Sequence, residues 1–190
     1  MKALLYCPKS KPYLVYGCTN KYIMSYGYDT TYSEEIKNNL DCFNGKIIGE
    51  CDYELEEIKL NEYEYEDFNN SPYWYSFFET QTLKGEELHK QSCLTYDELD
   101  EYLDIYKEKE VYGYAIHIKN LDIWNTPKSL ERMGIKGSIK NITKALGLRI
   151  AGFTLERYII IPVKPELMCK ILNGECTIII KKKVLKDMVK

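Results

Sequence analysis

Apolar residues recur along this chain with two periods, and the change of period marks out its strands and helices. Ala3 to Tyr6 is a short apolar run stopped by Pro8 and reads as a first strand. Asn44-Gly45 is a turn signal ahead of a second strand, Lys46 to Cys51. That strand continues through Asp52 to Ile58, where acids alternate with Tyr53, Leu55 and Ile58. Glu50, Asp52, Glu54, Glu56 and Glu57 are then the wet side of a half-buried strand rather than a catalytic carboxylate pair. Tyr114 to Lys119 alternates again, with Tyr114, Ile116 and Ile118 on one side and Ala115, His117 and Lys119 on the other. Tyr158 to Val163 and Cys176 to Ile180 complete the expected strands, the latter β-branched and apolar.

The helical period appears in three places. Thr95 is placed to cap a helix running to Leu103, with Glu98 closing a capping box, Leu94 stapling to Leu99, and Leu99, Tyr102 and Leu103 facing inward. Ser138 is placed to cap a second helix through Leu146, with Ile139, Ile142 and Leu146 as its apolar stripe, Lys140 and Lys144 on another face, and Gly147 as its stop. The stretch Val163 to Lys183 organises the rest. Pro165 suits a first helical turn, because its missing N–H would be unpaired there anyway. Leu167, Met168, Ile171 and Leu172 share a face. Asn173-Gly174 ends the helix, with Gly174 in the left-handed region that a Cβ disfavours. The result is a short helix, a glycine stop and a core strand.

Two segments lack a clean period. Residues 18–43 read as an irregular insertion. Residues 60–91 are acidic and aromatic, NEYEYEDFNN followed by SPYWYSFFET, and Tyr73, Trp74, Tyr75, Phe77 and Phe78 fill a groove, pack on a barrel or form a partner-binding patch.

Composition and charge narrow the class. A chain of 190 residues is one domain, here 1–190, with 60–91 as an acidic-aromatic insertion and 125–158 as a basic connector. No run is long and apolar enough to span a membrane, and MKALLYCPKSK is too short in its apolar part for a signal peptide. A cytoplasmic setting follows as the expectation, with the seven cysteines reduced. They contain no C-x-x-C pair, so neither a zinc site nor a cofactor is expected, and Cys51 and Cys169 read as small buried hydrophobes. The charge is uneven. Residues 1–124 carry 12 Lys+Arg against 24 Asp+Glu, and residues 125–190 carry 14 against 5. Either the surface is bipolar, with one part suited to anionic partners, or the two halves neutralise each other within one fold.

The helix–glycine–strand stretch VKPELMCKILNGECTIIIKKK resembles the signature of the ASCH family, which belongs to the PUA-like β-barrels. The family motif is G-x-K-x-x-E-x-R. Gly174 matches; the lysine position falls on Cys176, the glutamate on Ile179 and the arginine on Lys181. Tyr6 to Gly17, Asn44 to Ile58, Ser92 to Leu103 and Tyr114 to Trp124 look like successive segments of ASCH-like proteins common in phages and prophages. In those relatives the motif comes first, whereas here it comes last. The resemblance, which covers about half the chain, implies an α+β fold, a small PUA-like β-barrel with flanking helices, circularly permuted. Close surface termini, usual for domains, permit such a permutation. The Cys176 to Lys181 strand is then expected beside Ala3 to Tyr6.

Relatives of that family are thought to bind RNA or modified nucleosides, and some small members hydrolyse acylated cytidine through the motif lysine, a threonine three positions on and a distant glutamate. Those first two positions are Cys176 and Ile179 here, so the resemblance implies shape without that chemistry. Cys176 as a nucleophile would need a base and an electropositive setting, which an apolar strand does not provide. The expected function is a non-catalytic nucleic-acid-binding protein of phage or mobile-element type, RNA being the expected ligand. Lys9, Lys11 and Tyr13 suit a phosphate backbone and a stacked base, or simply a solvated turn. Lys140, Lys144, Lys181, Lys182 and Lys183 supply further charge, Tyr6 and Trp124 further rings, and His117 is either a ligand contact or a satisfied structural group. Lys128, Arg132, Lys136 and Arg149 extend the basic run, with Glu131 its one nearby acid. The alternative is a counter-defence inhibitor of anti-CRISPR type, which offers Glu62, Glu64, Glu66 and Trp74 to a basic host defence protein. A third reading is a nucleoside amidohydrolase.

Overall fold

The computed structural model describes residues 1–8, 45–66, 72–137, 139–144, 148–150, 153–155 and 158–189. It is a mixed sheet with few helices, an α+β arrangement. The chain divides into two compact units, Met1–Asp52 with Asn120–Asn173, and Tyr53–Lys119 with Gly174–Lys190. Two long strands, β2 (Lys46–Glu66) and β4 (Gly113–Ser129), contribute to both units. The expectations at Lys9, Lys11, Tyr13 and residues 18–43 lie outside the described residues.

In the first unit the central strand is β1 (Lys2–Cys7). It pairs antiparallel with β2, from Lys2↔Asp52 to Cys7↔Lys46, and parallel with β8 (Tyr158–Pro162), from Lys2↔Tyr158 to Tyr6↔Pro162. A strand flanked on both sides and covered on both faces must be apolar throughout, and Ala3 to Cys7 are all buried. Gly45, at φ 74°, turns the chain into β2 and donates its N–H to the Cys7 carbonyl at 2.9 Å. Leu4, Tyr6, Ile47, Leu130, Met133, Ile139 and Ile160 form this unit's core. A two-residue strand, β5 (Thr143–Lys144), pairs with β8, and β6 (Leu148–Ile150) pairs with β7 (Phe153–Leu155).

Of the helix expected over Ser138 to Leu146, the described residues 139–144 are not helical. Ile139 and Ile142 do bury their side chains, as the helical spacing demanded, but Thr143 and Lys144 are extended and pair with Ile160 and Ile159. Backbone pairing to β8 outweighs a weak local preference that includes Asn141 and the β-branched Thr143. The second expected helix of this region is present as Pro165–Leu172, with Pro165 in its first turn, Met168 and Ile171 buried, and Leu167 and Leu172 half-buried. Gly174 has φ 75°.

In the second unit, β3 (Pro72–Glu79) folds back on β2, from Lys59↔Glu79 to Glu66↔Pro72. The acidic-aromatic stretch pairs as two antiparallel strands, followed by α1 (Gly85–Ser92), a helix not expected from the sequence. The next helix, α2 (Tyr96–Leu103), carries the expected capping box: Thr95 Oγ accepts from the Glu98 N–H at 3.2 Å and the Glu98 carboxylate accepts from the Thr95 N–H at 2.8 Å. Leu99 and Leu103 face inward as expected, but Tyr102 is exposed, with the Lys182 ammonium 5.2 Å from its ring centre. Taking Pro165–Leu172 as α3, the chain ends with β9 (Ile178–Lys181).

β9 pairs antiparallel with β4, from Tyr114↔Lys181 to His117↔Ile178. The expected neighbour was β1, but both edges of β1 are taken by β2 and β8. Ile58, Phe78, Leu83, Leu88, Leu99, Leu103, Tyr112, Ala115, Ile178 and Ile180 form the second core. Phe78 meets the Tyr112 ring edge-on at 5.1 Å. Strand order runs β5-β8-β1-β2-β4 in the first unit and β3-β2-β4-β9 in the second. Neither order returns on itself, so among the described residues the sheet is not closed into the barrel that the resemblance implied.

Candidate functional site

The two units differ in charge. By sequence the first carries 15 Lys+Arg against 10 Asp+Glu, a net of +5, and the second 11 against 19, a net of −8. The imbalance read along the chain is thus also an imbalance between compact units.

In the first unit the basic run is pinned from beneath. Leu130 and Met133, around a short 3-10 turn (Glu131–Met133), are buried, as are Ile139 and Ile142. Between these anchors Arg132, Lys136, Lys140 and Lys144 are all exposed. Gly134 at φ 80° and Gly137 at φ 89° bend the backbone so that anchors and cations can separate. Among the described residues Arg132, Lys136 and Lys140 form no ion pair. Lys128 is half-buried over the Trp124 ring, 4.6 Å from its centre, and Trp124 packs on the core. That uses the ring the sequence offered for base stacking. Tyr6, also offered, is 1 % exposed.

The other expected cations are placed differently. Lys181 is half-buried in β9, whereas Lys182 and Lys183 are exposed. Lys182 Nζ lies 3.3 Å from Asp104 Oδ2, which also takes Lys107 and Lys109 at 3.6 Å. The hydrogen bond from Lys182, then the neighbouring ammonium charges, hold the Asp104 carboxyl below its ordinary pKa. His117 faces Glu56, with Nε2 3.5 Å from Oε2, and that nitrogen is buried without a hydrogen-bond partner among the described residues. Burial raises the pKa of Glu56, but hydrogen bonds from Thr80 and Thr82 outweigh it and lower the net value. Thr82 donates from Oγ1 at 3.0 Å.

Cys176 is 2 % exposed. Its Sγ lies 3.1 Å from the Ile178 carbonyl oxygen and 3.7 Å from that of Ser92, contacts that favour the thiol over the thiolate. Cys51 is buried, and burial, then the Asp52 charge, push its thiol up to about 12. Cys169 is half-buried, less than expected. None of the five described cysteines forms a disulfide, and no cluster of three potential metal ligands occurs among the described residues.

The second unit presents an acidic, aromatic surface. Glu62 and Glu64 are exposed on β2, pairing in register with Ser76 and Trp74. Tyr63 and Tyr75 are each 42 % exposed. The Tyr63 hydroxyl donates to Glu79 at 2.9 Å, and Asn61 Nδ2 donates to the same carboxylate at 2.7 Å, so the nearly buried Glu79 is satisfied. Rings continue across the unit: Tyr75 stacks on Phe77 at 6.1 Å, Phe77 meets Tyr96 at 6.1 Å, and Tyr96 stacks on His89 at 4.2 Å. His89 Nδ1 is hydrogen-bonded to the Leu94 carbonyl, which fixes the imidazole against Tyr96. A groove of about 100 Å³ is lined by Ser76, Phe77, Phe78, Gly85, Tyr96, Leu99 and Asp100. The sequence reading missed Tyr96, Asp100 and Gly85 as surface-forming residues, because the helix α1 that brings Gly85 against Phe77 was not foreseen. Glu86, Glu87 and Leu88 after Gly85 carried its signal.

Comparisons with protein families, with curated proteins and with solved structures found no match for this chain. No helix among the described residues is long and apolar enough to cross a membrane.

Proposed function

We propose that this protein is a non-catalytic binding module that holds nucleic acid, RNA in the first instance, through the cations of its first unit. The observation that carries the reading is the exposed set Arg132, Lys136, Lys140 and Lys144, anchored by Met133, Ile139 and Ile142. Arg132, Lys136 and Lys140, which form no ion pair among the described residues, keep their full attraction for phosphates, and each phosphate neutralised releases condensed counterions. Such contacts position a backbone without reading sequence. The resemblance to ASCH-like proteins in permuted order supports an RNA ligand, and α3, Gly174 at φ 75° and β9 follow in the helix–glycine–strand order on which the resemblance rests. The test is filter binding of a single-stranded RNA across a salt series, using the intact chain and variants of the four cations.

A second reading, an inhibitor that offers an acidic face to a basic partner, is favoured by one separate observation. Glu62 and Glu64 stand exposed on the same strand pair as the exposed rings of Tyr63 and Tyr75, on its other face, in a unit of net charge −8. Aromatic side chains rimmed by charge are the usual anchors of a protein interface. A host defence protein, such as a nuclease with its guide RNA, is the partner class this reading names. Loss of its binding in Glu62→Lys/Glu64→Lys, with the RNA affinity intact, is the result it expects.

A further inference from the structure

The groove between β3 and α2 has a composition that neither charged surface explains. Its floor is Phe78 and Leu99, both buried. Its walls are the Phe77 and Tyr96 rings, and its rim holds Asp100. Tyr96 and Asp100 are four apart on α2, so they stand one above the other on one helix face. The Asp100 carboxylate makes no hydrogen bond or ion pair among the described residues. Asp97, three residues back, shares that side of the helix. Burial and, second, the Asp97 charge raise the Asp100 pKa. Both effects disfavour the carboxylate, and the attraction of a bound cation would offset both.

Gly85 keeps the groove open. A Cβ there would stand 3.0 Å from Phe77 Cβ and 3.2 Å from its Cγ, so any larger residue would displace the Phe77 wall. His89, held by the Leu94 carbonyl and stacked on Tyr96, steadies the opposite wall.

We propose that this groove binds an arginine side chain of a basic peptide segment, its guanidinium laid over the Tyr96 ring and paired with the Asp100 carboxylate. The inference deepens the second reading above, with Glu62 and Glu64 drawing in the rest of the segment. The cation type follows from the geometry. A planar guanidinium can stack on a ring while its fork meets a carboxylate, whereas a hydrated ammonium gains less from a flat aromatic wall. Charge complementarity favours a basic peptide over nucleic acid, whose phosphates would meet Asp97, Asp100, Glu62 and Glu64.

The test is a fluorescence anisotropy titration of the intact chain with fluorescein-labelled nona-arginine and nona-lysine at physiological salt. Nona-arginine should bind more tightly than nona-lysine. Asp100→Asn, nearly isosteric, should weaken nona-arginine binding by about tenfold, the usual value of one charge-assisted hydrogen-bonded pair. Tyr96→Leu should weaken it several-fold, while Tyr96→Phe keeps the ring and the affinity. Circular dichroism checks that each variant folds. Full affinity in a folded Asp100→Asn variant, with loss in Glu62→Gln/Glu64→Gln, would overturn the groove and leave the acidic-face reading standing. No binding of nona-arginine at all would overturn both. Loss of oligouridylate binding in Tyr96→Leu would make RNA the occupant and equally overturn the inference.

Discussion

Asn120 Nδ2 donates to Asp52 Oδ2 at 2.9 Å, and Asn120 itself sits at φ 49° in the middle of β4. The first unit begins again at Asn120, having left β2 at Asp52, so this bond ties together the residues at which both long strands change unit. A left-handed residue bends a strand locally. Asparagine tolerates the left-handed region better than most residues and ties the bend down through its amide.

Substitution at Asn120 should therefore separate backbone from side-chain effects. Asn120→Gly keeps the bend accessible and loses only the hydrogen bond. Asn120→Val should lose about 1–2 kcal/mol more than Asn120→Gly, because a β-branched residue resists positive φ. Urea unfolding of the two variants checks the ranking, and equal stabilities would contradict it.

The α2 cap gives a second, independent stability test. Thr95→Ala should cost about 1 kcal/mol, since it leaves the Glu98 N–H without its acceptor. Thr95→Asp should recover most of that loss. Thermal unfolding at matched pH reads both, and an unaltered midpoint in Thr95→Ala would show that the box adds nothing.

Stability should fall on acidification, and the sign follows from four carboxylates. Asp52 is lowered first by the Asn120 hydrogen bond and then by Lys2; Glu54 is lowered by Lys119, whose ammonium lies 2.6 Å away. For Glu56 burial works the other way and is outweighed by Thr80 and Thr82, and Asp104 is lowered by Lys182. A group whose folded pKa lies below its unfolded value stabilises the fold above the ordinary carboxylate pKa, about 4. That stability is lost as the pH falls through the depressed folded value. Thermal midpoints should thus drop between pH 5 and pH 3, and Glu56→Gln, which cannot titrate, should shallow the drop. An identical pH profile in a folded Glu56→Gln protein would contradict the assignment.

Local chemistry was legible in the sequence wherever a residue type determines its own backbone. Pro165, Gly174, Thr95 and Glu98 behave as their side chains require, and α2 and α3 lie where expected. Non-local choices were not legible. Ile139 and Ile142 have helical spacing, yet any geometry that buries both satisfies them, and pairing with β8 decided for an extended Thr143–Lys144. The partner of β9 depended on which strand edge was free, which no residue in Cys176 to Lys181 encodes. For the site, the exposed lysines at 140 and 144 could be read directly. The pairing of Phe77 with Tyr96 could not, because it needs β3, α1 and α2 assembled.

The central claim is that the exposed cations Arg132, Lys136, Lys140 and Lys144 of the first unit hold nucleic acid, and one measurement bears on it most directly. Filter binding of an oligouridylate is followed from low to moderate salt for the intact chain and for Arg132→Glu/Lys136→Glu/Lys140→Glu. The account predicts tight, sequence-tolerant binding by the intact chain. It predicts weaker binding by the variant, with a log-affinity against log-salt slope shallower by about 2, near 0.7 for each lost contact to a single strand. Unchanged affinity and slope in a folded triple variant would contradict it.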